Sequence, residues 1–232
     1  MATFLHKAGR LAFRRRHFVA LIPSSGGAAD RVGDRVAAVT ALDELVRLLG
    51  PSTGARTPSP DDWTETEAYV ASPLPTDFKT FLDTYGTGVI CDELVVFHPR
   101  GDSPLLDRMR QIHERRAAAR RRAPDLHTFP VHPEPGGLIS WGYDHSGNEH
   151  FFWPCDPDPD RWKVVTDSHA LELEIFEGPF TAFVLDFVER LRTLDPHHGL
   201  DPDELEFLEP EDLAELAERG EIGPVEPSFR PI

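Results

Sequence analysis

Between Trp141 and Val165 the chain reads WGYDHSGNEHFFWPCDPDPDRWKVV, which puts His145, His150, Cys155, Glu149 and four Asp within 25 residues. Side chains of these types can ligate a metal, move protons or display charge. A zinc site uses spacings such as Cys-x2-Cys with His-x3-His. Here His145 and His150 are five apart and Cys155 follows five later, and on a strand an odd separation sends side chains to opposite faces. A calcium loop needs Gly at position 6 and Glu at position 12. Counted from Asp144 those positions hold Glu149 and Cys155, and counted from Asp156 position 6 is Arg161. Proton transfer would pair His145 or His150 with Asp144 or Glu149. The chain has no nucleophile elbow and no phosphate-cradling Gly loop, and His98, His132, His169 and the pair His197-His198 fall in no pattern. Turn and loop chemistry accounts better for the stretch. Neither cofactor, metal nor catalytic residue is expected.

The elements that must carry these residues read as follows. Gly137 to Tyr143 and Glu149 to Trp153 have strand character and flank a turn, Asp144 to Asn148, in which Gly147 and Asn148 tolerate positive φ. Arg161 to Thr166 is a third strand, reached through CDPDPD, and short connections of this kind predict an antiparallel meander. Val89 to Cys91, Leu94 to Phe97 and Thr128 to Val131 are further short β-type runs. Helices are predicted from Thr40 to Leu49, from Asp62 to before Pro73, and through LPTDFKTFLDTYGTG, where Thr76 is the expected cap and Phe78, Phe81, Leu82 and Tyr85 share one face. The widest apolar stripe is Phe180, Phe183, Val184, Phe187, Val188 and Leu191, opened by Gly178-Pro179. Trp141, Phe152 and Trp162 are expected to pack beneath Phe183 and Phe187 rather than to line a ligand cavity.

The 232 residues carry 40 Asp or Glu against 24 Lys or Arg, a formal charge of -16. That balance disfavours a nucleic-acid binder, because phosphates would be repelled, and favours a basic partner. Charge is unevenly spread: residues 1–35 hold seven Lys or Arg against two Asp, and residues 195–232 hold twelve Asp or Glu against two Arg. The domain reading is a basic, disordered leader over 1–38, a helix and linker over 39–60, a main α+β domain over 61–194, and an acidic, Pro-interrupted extension over 195–232 outside the core, with one short helix near Asp212 to Arg219. Within the main domain, Ser103 to Arg122 reads as a helix with seven Arg and Leu105, Met109 and Ile112 on one stripe. Its Arg side chains read as a solvated face rather than a phosphate grip, since no aromatic is interleaved. The longest apolar run near the N-terminus, Phe18 to Ile22, is too short for a membrane span, so a cytoplasmic protein with no membrane partner and two free thiols, Cys91 and Cys155, is expected.

Four segments in order carry a family resemblance: LPTDFKTFLDTYGTG (Leu74 to Gly88), the hairpin WGYDHSGNEHFFW, the strand WKVV (Trp162 to Val165) and the closing helix GPFTAFVLDFVERL (Gly178 to Leu191). Together they resemble the SUKH superfamily, which includes the yeast cell-wall assembly regulator and many bacterial immunity proteins. The resemblance covers roughly residues 62 to 193, and the Arg-rich segment 103–122, the leader and the tail lie outside the family's common core. It implies an α+β domain, an antiparallel sheet packed on amphipathic helices, acting by protein binding without catalysis. Immunity against a toxin, often a nuclease, is the family role that suits the charge. Asp144, Glu149, Asp156, Asp158 and Asp160 are the candidate partner-binding residues, as acidic groups at the ends of the meander. A regulatory or scaffold protein without a toxin is the alternative, followed by a His-based enzyme or small-ligand binder.

Overall fold

The computed structural model describes residues 41–51, 59–100, 104–127, 129–168, 173–193 and 205–222. The expected leader 1–38, the cap at Thr40 and the histidines His169, His197 and His198 lie outside them. The described helices are α1 (residues 41–49), α2 (Pro60–Val70), α3 (Thr76–Tyr85), α4 (Leu105–Arg122), α5 (Phe180–Thr193) and α6 (Pro210–Glu218). The strands are β1 (Gly88–Ile90), β2 (Leu94–Val96), β3 (Ile139–Asp144), β4 (Glu149–Trp153), β5 (Lys163–Asp167), β6 (Glu174–Phe176) and β7 (Phe207–Leu208). They form one antiparallel sheet in the order β6-β5-β4-β3-β2-β1-β7. The fold is α+β, a meander of six strands with a seventh from the C-terminal segment.

Strand alternation divides the sheet into two faces. On one, Ile139, Trp141, Phe152 and Val164 meet the buried stripes of α3 (Phe78, Phe81, Leu82, Tyr85) and α5 (Phe180, Phe183, Val184, Val188). Trp141 contacts Phe180 and Phe183 at ring separations of 4.9 and 5.8 Å, and Phe152 lies 6.1 Å from Phe180 and 6.4 Å from Trp162, so these aromatics are packed core, with Phe180 rather than Phe187 beside Phe183 as their cover. On the other face Phe151 and Val165, with Leu138 beside them, form a smaller cluster under Ile112 of α4, and the Arg116 guanidinium lies 4.7 Å from the Phe151 ring. Helix α4 is therefore more than a solvated face: its cationic stems and heads cover the second side of the sheet.

Several expectations are corrected. The extension after 195 was expected outside the core, yet β7 pairs with β1 and Leu213 of α6 is buried in the main cluster. Its Pro and Glu residues obscured a short amphipathic element whose Leu205, Phe207, Leu208, Leu213 and Ile222 pack against the main core. Gly88 admits this strand, since a Cβ there would meet the Phe207 ring at 2.4 Å. Of the expected strand 128–131, Thr128 is outside the described residues and Val131 makes only an isolated bridge to Leu138. Thr76 does not cap α3: Pro75 holds that position, and the Thr76 N–H donates to Asp160 Oδ1 at 2.7 Å. Asp62 serves α2 from its first turn, accepting the N–H of the capping Ser59 at 3.2 Å.

Candidate functional site

Strand β4 separates the two acidic loops of the opening stretch. Glu149 pairs with Asp167 at one end and Trp153 with Lys163 at the other, so the 144–148 turn and the 154–162 loop stand roughly 15 Å apart along the sheet. The five candidate carboxylates do not form one surface.

Asp144 is 3% exposed and is not displayed at all. Its carboxylate accepts the N–H of Asn148 at 2.9 Å and the Asn148 side-chain amide at 2.8 Å, closing the turn, and lies 3.3 Å from His150 Nε2. Burial pushes the Asp144 carboxyl up, but the bonds from His150 and Asn148 outweigh it and hold the group below its ordinary range. His150 Nδ1 meets Thr166 Oγ1 at 3.0 Å, and the ring stacks on Trp141 at 5.1 Å. Both ring nitrogens face protein groups. Glu149 is bridged by Arg115 and by Arg116, the latter at 2.5 Å, and Arg116 also holds Asp167 at 2.5 Å. This cluster ties α4 to the sheet.

The Asp residues of CDPDPD are half-buried and shape their own loop. Asp156 accepts the Asp158 N–H at 2.9 Å and faces Arg161 at 3.5 Å. Asp158 caps the 3-10 turn Pro159–Arg161 by accepting the Asp160 N–H at 3.2 Å. Asp160 reaches the Thr76 N–H at 2.7 Å and the Thr76 hydroxyl at 3.2 Å, joining the loop to α3. Cys155 is exposed and Cys91 buried, both as free thiols, and burial pushes the Cys91 thiol up to about 11.

Sequence reasoning missed two polar centres. His113, in α4, accepts the Ser140 N–H on Nε2 at 3.0 Å and places Nδ1 3.0 Å from the Tyr69 hydroxyl. Its proton therefore sits on Nδ1, and burial, with His132 nearby, pushes its pKa down to about 3. The signal was present, since His113 follows Met109 by four on the stripe already recognised. His98 accepts the Arg100 N–H on Nδ1 at 2.9 Å and faces Asp83 at 3.5 Å, while Asp83 also receives the Trp63 indole N–H at 3.3 Å. A further half-buried carboxylate, Asp77, takes the Thr181 N–H at 2.8 Å and its own helix's Phe78 N–H at 2.9 Å, fastening the start of α5 to the start of α3. Burial pushes Asp77 above its ordinary range despite those bonds.

Among the described residues no group of three or more His, Cys, Asp or Glu is arranged to hold a metal ion, and no helix is long and apolar enough to cross a membrane. Other carboxylates do face solvent, among them Glu211, Asp212, Glu215 and Glu218 on α6, Asp61 and Glu65 on α2, and Glu174 and Glu177 at β6. No family model matches the chain, and neither does any curated protein.

Proposed function

We propose that this chain is a non-catalytic, protein-binding domain of SUKH type that neutralises a basic toxin domain, most suitably a nuclease, in the cytoplasm. The observation that carries the reading is a division of labour among polar groups. Asp144, His150 and His113 are buried, and Asp77 half-buried, on partners within the chain, whereas the carboxylates of α6 are exposed and lie on the outer side of a helix anchored by Leu213. An exposed anionic helix on a chain of -16 imitates the polyanion that a basic nuclease binds, and opposite fields accelerate encounter. This moves the proposed contact from CDPDPD to α6, because the CDPDPD carboxylates are committed to loop and helix caps.

The test takes a basic toxin domain encoded beside this chain as the probe. Full-length protein is expected to co-purify with it and to abolish its nuclease activity at equimolar ratio. Combined Glu211→Lys, Glu215→Lys and Glu218→Lys should slow association by about 10-fold or more at low salt. Tight binding that leaves nuclease activity intact would favour the scaffold alternative, and no binding would remove the toxin partner.

A further inference from the structure

The two edges of the sheet are finished differently. At one, β7 is two residues long and leads at once into α6, whose Leu213 is buried. At the other, β6 pairs with β5 through Val164↔Phe176, Val165↔Ile175 and Thr166↔Glu174, and among the described residues no strand pairs with its outer side. An open edge presents unpaired backbone N–H and C=O groups.

The side chains around this edge have a definite chemistry. Ile175, 41% exposed, is one of two large hydrophobics exposed among the described residues. It lies opposite Val165, on the sheet face that carries the smaller core, where Leu173 and Trp153 are half-buried and Phe129 stands edge-on to Trp153 at 6.2 Å. Glu174 and Glu177 are exposed at the two ends of β6, Glu174 on the face opposite to Ile175, and Lys163 holds Glu177 at 2.7 Å. The edge thus shows an apolar rung on one face and a carboxylate on the other.

We infer that β6 is a docking edge for an extended, basic segment of the partner protein, one that alternates cationic and apolar residues and adds as an eighth strand. The inference rests on the proposed basic partner and specifies how it is engaged. An added strand would satisfy the outer backbone groups, lay an apolar side chain beside Ile175 on one face of the sheet and bring a cation to Glu174 on the other. A second copy of this chain is the wrong occupant, since it would bring Glu174 and Glu177 and a further -16 against the same edge.

The probe is a fluorescent nonapeptide alternating Lys and Val, compared with the same peptide N-methylated at alternate residues to block strand pairing. Against the full-length chain, the unmodified peptide is expected to bind, to slow amide exchange in 173–177, and to bind at least ten times more weakly after N-methylation. Glu174→Lys with Glu177→Lys should weaken it, and Ile175→Ala, which leaves the backbone intact, should do so less. Equal binding of both peptides, sensitive to the α6 charge reversals, would overturn strand addition while leaving the acidic-surface reading in place. No binding, or protection elsewhere in the chain, would overturn it too, as would self-association of the protein abolished by Ile175→Lys. If the neighbour-encoded domain binds and its affinity ignores the β6 variants, the edge falls and the function stands.

Discussion

His150 and His113 sit on opposite sides of the same sheet, each nearly solvent-free and each with both ring nitrogens against protein groups, yet they are solved differently. His150 is given a carboxylate, Asp144, and a hydroxyl, Thr166. His113 is given a backbone N–H and a phenol, both neutral. With no anion to favour the imidazolium, burial dominates at His113 and the ring stays neutral well into acid. At the other centre the electrostatics appear on the partner instead, and Asp144 is held anionic.

The comparison can be broken most forcibly at Trp141, the ring that covers His150. Trp141→Ala removes a 1% exposed side chain with aromatic neighbours on several sides and should cost about 3 to 5 kcal/mol in chemical unfolding. Asp144→Ala is expected to cost about 3 kcal/mol, because it opens the hairpin turn and leaves His150 without its anion. The centres separate by pH. The folded pKa of His113 is depressed, so between its ordinary 6.5 and about 3 the unfolded chain binds the extra proton and stability falls as pH falls through that window. His113→Gln should flatten this limb in denaturant titrations between pH 6.5 and 4. Asp144 is also depressed, but from 3.8, so its contribution is present above that value and is lost only below it; Asp144→Asn should alter only that lower limb. The smallest effect is expected from Asp160→Ala, about 1 kcal/mol, since half-exposed Asp160 contributes two bonds at the start of α3. Equal acid slopes in the His113 and Asp144 variants would show that the two sites are not distinct.

Much of this fold was legible because period and composition agree. The stripes of α3 and α5 have a single helical phase, and β3, β4 and β5 carry enough aromatic and β-branched residues to read as a meander. The β1–β2 connection carries no such mark: Cys91 and Asp92 both take positive φ, 51° and 50°, in a type I′ turn without glycine. It is held from outside, with His145 Nδ1 on the Asp92 carbonyl at 2.9 Å and Ser146 on the Glu93 carboxylate. Turn chemistry of that kind is tertiary. Which of the candidate carboxylates are displayed was hidden for a related reason. Sequence can count the carboxylates in CDPDPD, but whether an Asp points to solvent or accepts an N–H depends on where Thr76 lies, 84 positions away from Asp160. β6 and β7 are too short for any alternation to register.

The pairing of β7 with β1 has a consequence for the order in which the molecule is made. Val89 meets Leu208 more than a hundred residues later in the chain, so a nascent polypeptide can assemble the meander and its helices while the β1 edge still waits for a partner. Domains form during synthesis from the N-terminal side, and unpaired edges are where early species associate wrongly. The acidic segment that supplies β7 brings the missing rung and a run of negative charge to that edge in one stroke, ending its exposure once that segment has emerged.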